Sequence, residues 1–168
     1  VDYFVPTKSI HLWDGGVYDN LGLGSIFEPK NAGTLKEGVN YMIVSNASAS
    51  IGPYRRHAGF NFSNLKRLLD ISMDQVTSLR NRMVMDFIIR TNQGMYLKIG
   101  NSAEKIASDS KCPDALRKHL VQECLSTSDA EKAMNYKTTL RKPKESDYQL
   151  LLRHGYEVAK CTYLCYQK

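Results

Sequence analysis

Apolar positions in this chain of 168 residues recur with two different spacings, and the change from one to the other predicts an α/β order of elements. Residues 10–13 form a short apolar segment of strand character that runs into Asp14. Asp19 stands where an N-cap belongs, ahead of a short helix reaching about residue 27. Residues 29–38 are polar, with glycine and lysine, and predict a surface loop. Residues 39–45 are apolar and β-branched over the length of one strand, and residues 46–59, rich in Ser, Gly, Pro and Arg, predict a long loop.

The strongest helical pattern covers residues 64–90. Leu65, Leu69, Met73, Val76, Leu79, Met83 and Phe87 recur at three and four residues, so they share one apolar stripe. Arg82, Asp86 and Arg90 lie opposite it at ion-pair spacing. Residues 92–94 turn the chain. Met95, Leu97 and Ile99 then alternate with Tyr96 and Lys98, the mark of a half-exposed strand. Residues 101–144 are polar and weakly patterned, with one helix expected over 113–124 behind Pro113. A last helix is expected over 146–166, with Leu151, Leu152, Val158, Thr162 and Cys165 inward and Gly155 allowing a close neighbour.

No internal repeat and no second domain is visible. Two strands with three or four helices make an incomplete sheet, because a parallel sheet needs more strands and helices on both faces. The pattern is that of the C-terminal half of an α/β domain. Residues 1–100 are its sheet-forming part and residues 101–168 its helical part. The opening at Val1 rather than Met fits a fragment or a processed chain.

Composition narrows the classes. There is no run of about 18 apolar residues, so no spanning helix is expected. No charged start precedes an apolar stretch, so no signal peptide is visible, and a cytoplasmic or peripheral-membrane location is expected. The net charge of +6 permits contact with anionic lipid, but the basic residues are dispersed and read mainly as solvated lysines and arginines. Without an aromatic-interleaved basic motif, nucleic acid is not an expected partner. The four cysteines, Cys112, Cys124, Cys161 and Cys165, form no Cys-x-x-Cys pair. Cys161 and Cys165 would share a helix face, but two thiols do not make a zinc site, so reduced, partly buried cysteines are expected. No metal and no cofactor is implied.

The chemistry is concentrated in Asp14-Gly15-Gly16-Val17-Tyr18-Asp19-Asn20-Leu21-Gly22. An acid ends a short strand, two glycines turn the backbone, and a helix start follows. A bare Asp-Gly-Gly would be a turn. The longer string resembles the Asp-Gly-Gly segment of patatin-like phospholipases. Val44-Ser45-Asn46-Ala47 resembles the family's next strand, although Asp is common there at the position of Asn46. The run from Asp70 to Arg82 resembles its long helix, Gly94-Met95-Tyr96-Leu97-Lys98-Ile99 the strand after it, and Leu151-Leu152-Arg153-His154-Gly155-Tyr156 its closing helix. Residues 101–132 do not align well.

The resemblance implies a three-layer α/β/α fold with a mostly parallel sheet, of which this chain carries the C-terminal part. It also implies a lipid acyl hydrolase working through a Ser–Asp dyad, with Asp14 as the acid and Gly15 and Gly16 shaping the turn around it. The substrate would be a phospholipid or another lipid ester, met transiently at a membrane surface. The serine of a Gly-x-Ser-x-Gly elbow and the Gly-rich oxyanion loop are absent from these 168 residues, so the covalent route is closed to them alone. The alternative is a truncated or degenerate module that binds lipid or a partner without turnover. A short sheet also leaves an edge through which copies could associate. Ser48 lacks flanking glycines and is a poor substitute nucleophile. His11 could neighbour the site, His154 reads as structural, and Arg80 and Arg82 could touch acidic lipid or pair with Asp86. Asp70 and Asp74 read as surface or capping residues.

Overall fold

The computed structural model describes residues 19–30, 33–48, 62–137 and 139–166. A 3-10 turn at Leu23–Ser25 leads into two short strands, β1 (Phe27–Glu28) and β2 (Thr34–Leu35), then β3 (Met42–Asn46). Helix α1 (Phe62–Thr91) is followed by β4 (Gly94–Lys98) and four more helices: α2 (Ala103–Asp109), α3 (Asp114–Glu123), α4 (Thr127–Met134) and α5 (Glu145–Tyr166). The fold is mixed α/β. β1 and β2 pair antiparallel, while β3 and β4 pair parallel, from Met42 opposite Gly94 to Asn46 opposite Lys98. The strand expected over 10–13 and most of the loop expected over 46–59 lie outside the described residues.

The parallel pair separates two cores. Successive side chains of a strand point to opposite faces. On one face, Met42 and Val44 of β3 pack with Leu23, Phe27, Val84 and Phe87, and Tyr96 of β4 lies against them. The rings of Phe27 and Phe87 meet edge to face, with centroids 5.4 Å apart. On the other face, Leu97 lies against a cluster that includes Ile106, Leu120, Val158 and Cys161 from the later helices. Burying each large apolar side chain, such as Met42 or Phe87, contributes about 1.5–3 kcal/mol. Helices thus cover β4 on both faces, as a parallel strand requires. Among the described residues β3 is covered on one face, and Ile43 is 59% exposed. Gly94 is needed where β3, β4 and α1 converge: a Cβ there would lie 2.8 Å from the Met42 carbonyl oxygen and 2.9 Å from the Ile88 side chain.

Three expectations are corrected, and the stripe of α1 finds its place. The loop expected over 29–38 contains β2, which pairs with β1 just before it to close a hairpin. The helix expected from Asp19 to about residue 27 is only the 3-10 turn, because Gly22 takes a left-handed conformation (φ 64°) and interrupts it. The apolar stripe of α1 does not face a core among the described residues: Leu65, Leu69, Met73, Val76 and Leu79 are 40–56% exposed, and of the stripe only Phe87 is buried. A helix of 30 residues is about 45 Å long, whereas a five-residue strand spans about 17 Å, so the helix outruns the sheet it packs on. In α5, Leu152 and Gly155 are exposed, and His154 and Cys161 are buried beside Val158, Thr162 and Cys165.

The polar stretch after β4 holds three helices, with α2 and α4 beyond the one expected. Ser102 caps α2 by accepting the Lys105 amide at 3.3 Å, and Ser126 caps α4 by accepting the Asp129 amide at 3.2 Å. α5 is tied to the turn between α3 and α4. Glu157 accepts the Leu125 amide at 2.7 Å and pairs with Arg153 at 2.8 Å.

Gly100 joins β4 to this helical layer at φ 85°, and a Cβ there would lie 2.6 Å from the Met134 sulfur. Gly100→Ala is therefore expected to cost about 1–3 kcal/mol. Thermal denaturation of the variant beside the parent measures it.

Candidate functional site

Open α/β sheets place their chemistry beyond the carboxyl ends of the strands. At the end of β3, Asn46 is buried and makes two bonds. Its Nδ2 donates to the Tyr96 hydroxyl at 2.8 Å, and its Oδ1 accepts the Ser48 amide at 2.9 Å. Burial pushes the Tyr96 hydroxyl above its ordinary value, with the Asn46 bond opposing, so the phenol stays protonated. The Ser48 hydroxyl accepts from Asn20 Nδ2 at 3.0 Å. The chain that leaves the acidic motif is thereby fastened to the carboxyl end of β3.

Asp19 fixes the same segment from the other side. One carboxylate oxygen accepts the Gly24 amide at 2.7 Å, and the other meets the Arg80 guanidinium of α1. Burial pushes the Asp19 carboxyl upward. The Gly24 amide, Arg80 and the Leu21 amide together outweigh it and hold the group below its ordinary range. Arg80 is thus committed to Asp19 rather than to Asp86, and it is Arg90 that pairs with Asp86, at 2.9 Å. A cavity of about 370 Å³ opens beside this pair, lined by Leu23, Phe27 and Met83 together with Lys30 and Lys36.

A second cavity, of about 300 Å³, lies past the ends of both parallel strands and is lined by Ser45, Asn46, Leu97, Leu151, His154 and Val158. His154 is buried, and its Nε2 accepts the Gly100 amide at 2.9 Å. Burial pushes its pKa below the usual 6.5, against a weak upward pull from Glu157. The imidazole is therefore a neutral acceptor that joins α5 to the end of β4, which is a structural role. A third cavity, of about 550 Å³, lies between the end of α1, β4 and α5 and is largely apolar, with Ile88, Ile89, Tyr96 and Tyr166 among its walls.

Asp14, Gly15 and Gly16 lie outside the described residues, as do His11 and His57. Among the described residues Ser48 is bonded to Asn20 and Asn46 and not to a histidine or a carboxylate. His119 is exposed and sits 3.5 Å from Glu123 on the same helix. Asp70 and Asp74 are exposed on α1. Among the described residues no group of three or more His, Cys, Asp or Glu could hold a metal ion. No described helix is long and apolar enough to cross a membrane.

Sequence reasoning missed the Asp19–Arg80 and Asn46–Tyr96 pairings. Each joins segments far apart in the chain, and no local spacing signals them. Compared with family models, curated proteins and solved structures, the chain matches none.

Two outcomes follow from this geometry. Asn46→Ala strands the Tyr96 hydroxyl and the Ser48 amide and is expected to cost about 1–3 kcal/mol. Asn46→Asp, which keeps an acceptor for both, is expected to cost less, as denaturant titration of both variants measures. The unfolded chain binds a proton on His154 more readily than the folded one, so stability is complete above about pH 6.5 and drains as the pH falls below it. His154→Gln is expected to flatten that acid limb in melting temperatures recorded from pH 5 to 8.

Proposed function

We propose that this chain is the C-terminal part of a patatin-like lipid acyl hydrolase and that Asp14 is the acid of its Ser–Asp dyad. The observation that carries the reading is the attachment of Asn20 to Ser48, six residues after Asp14 in the chain, at the carboxyl end of a parallel strand. That end of an α/β sheet is where a catalytic carboxylate does its work. The parallel pair covered by helices on either side of β4 supports the three-layer α/β/α architecture. The unpaired outer edge of β3 among the described residues, with Ile43 exposed on it, supports a sheet that continues with strands from elsewhere in the protein.

In this reading the dyad serine belongs to polypeptide outside these residues. Its hydroxyl donates to the Asp14 carboxylate, and its oxygen attacks the ester carbonyl of a phospholipid or related lipid. The alcohol leaves with the proton, and water then releases the acyl group by the same route in reverse order. A carboxylate of ordinary pKa, about 3.9, is a weak base for a hydroxyl, so burial against the serine must raise it. Gly15 and Gly16 leave room for that approach because neither carries a Cβ. Such an enzyme meets its substrate at a membrane surface as a peripheral protein.

One observation favours a second reading, a non-catalytic module that binds lipid or a partner. The leucines and methionines along the amino-terminal part of α1 are exposed on one long helix.

Ester hydrolysis by the full-length protein, measured beside Asp14→Asn, separates the two. The hydrolase reading expects the variant to lose about 10²–10⁴-fold in rate, the span attributable to a positioned general base. Equal rates would remove Asp14 from the mechanism. Absence of hydrolysis by the full-length parent, with binding to phospholipid vesicles retained, would favour the module.

A further inference from the structure

The four cysteines come together in the helical layer as two separate pairs. Cys112, in the turn before α3, has its sulfur 3.0 Å from that of Cys165. Cys124, at the end of α3, has its sulfur 3.6 Å from that of Cys161. Both partners lie on α5, one turn apart. All four are free thiols. We propose that these pairs are a dithiol site for oxidation, closing two nested disulfides, Cys112–Cys165 and Cys124–Cys161, that staple both ends of α3 to α5.

The geometry asks for little movement. A disulfide bond is about 2.05 Å long, so each pair of sulfurs must approach by roughly 1–1.5 Å, within the reach of side-chain torsions. The pairings are also selective. Cys161 and Cys165 are neighbours on one helix, yet each faces a different sulfur across the helix interface. Three of the four are buried, whereas Cys124 is partly exposed and is the point of entry. Burial pushes Cys161 up to about 12 and Cys165 up to about 11, and it raises Cys124 as well, so it is exposure that makes Cys124 the first of its pair to meet an oxidant.

The oxidant is a small disulfide such as oxidised glutathione. The Cys124 sulfur, having lost its proton, attacks one glutathione sulfur and displaces the other glutathione as thiolate. Cys161 then attacks the Cys124 sulfur and releases the second glutathione. Each cysteine loses one electron and one proton. The glutathione disulfide gains both electrons, and the two protons end on the two released glutathiones. The Cys112–Cys165 pair reacts by the same exchange, begun at Cys112, the more exposed of the two at 8% against 4%. Each bond closes a long loop, spanning 53 residues for the outer pair and 37 for the inner one, so the oxidised protein has a more restricted unfolded chain.

The test is incubation of the reduced full chain with oxidised glutathione, alkylation of the remaining thiols, and peptide mapping. The expected map contains Cys112–Cys165 and Cys124–Cys161 links within one chain, with a rise of roughly 5–10 °C in melting temperature that a reductant reverses. Cys124→Ser is expected to leave Cys161 alkylatable while the Cys112–Cys165 link still forms. Other pairings, links between chains, or four thiols still alkylatable after prolonged exposure would each overturn the proposal. The parent map decides the matter alone if the variant does not fold. No outcome depends on hydrolase activity, so failure here leaves the proposed function untouched.

Discussion

A single strand serves two cores, and the rest of the molecule is arranged around that fact. Tyr96 and Leu97 are adjacent in β4 and point to opposite faces, one toward the last turns of α1 and the other toward the helices that follow. The backbone of β4 must therefore be sealed on both sides, and its entry is made tight by Gly94, which brings it against Met42 and Ile88. β3 shares the hydrogen-bonding edge but only one of the two coverings. Among the described residues β4 is thus covered on both faces and β3 on one.

Polar joints hold the connections where apolar contact is thin. Asp19 with Arg80 fixes the start of the described chain to α1, Asn46 with Tyr96 closes the ends of the parallel strands, and Glu157 with the Leu125 amide seats α5 on the α3–α4 turn. In each case one partner is buried or nearly so, and the other would be left without a bond if the first were removed, which is the costly way to lose a hydrogen bond. The joints at Asp19 and Asn46 hold the described chain from Asp19 onward to α1 and to the end of β3.

Elements with a dense local signal were legible in the sequence. The β-branched run around Val44, the long period of α1, the alternation through Leu97 and the closing helix were each placed to within a few residues. α2 and α4 were also signalled, by Ser102 and Ser126 with an acidic residue in the first turn of each helix, but the polar composition between the caps masked them. The stripe on α1 was legible as a pattern, but periodicity states which residues share a side and not what lies opposite. The sulfur pairs and the Asp19–Arg80 contact depend on how distant segments cross, and no spacing along one chain encodes that. Asp14 itself rests on its resemblance and on the attachment of Asn20 nearby.

The reach of α1 past its sheet has a consequence for how the molecule breathes. Among the described residues of α1, the buried ones are Val84 and Phe87, in its carboxyl-terminal turns. Amide protons there can exchange with solvent only through opening of that core. Toward the amino end the leucines and methionines of the stripe are exposed, so opening there uncovers less apolar surface and costs less free energy. The helix is in effect a cantilever, whose exchange protection declines steadily from root to tip.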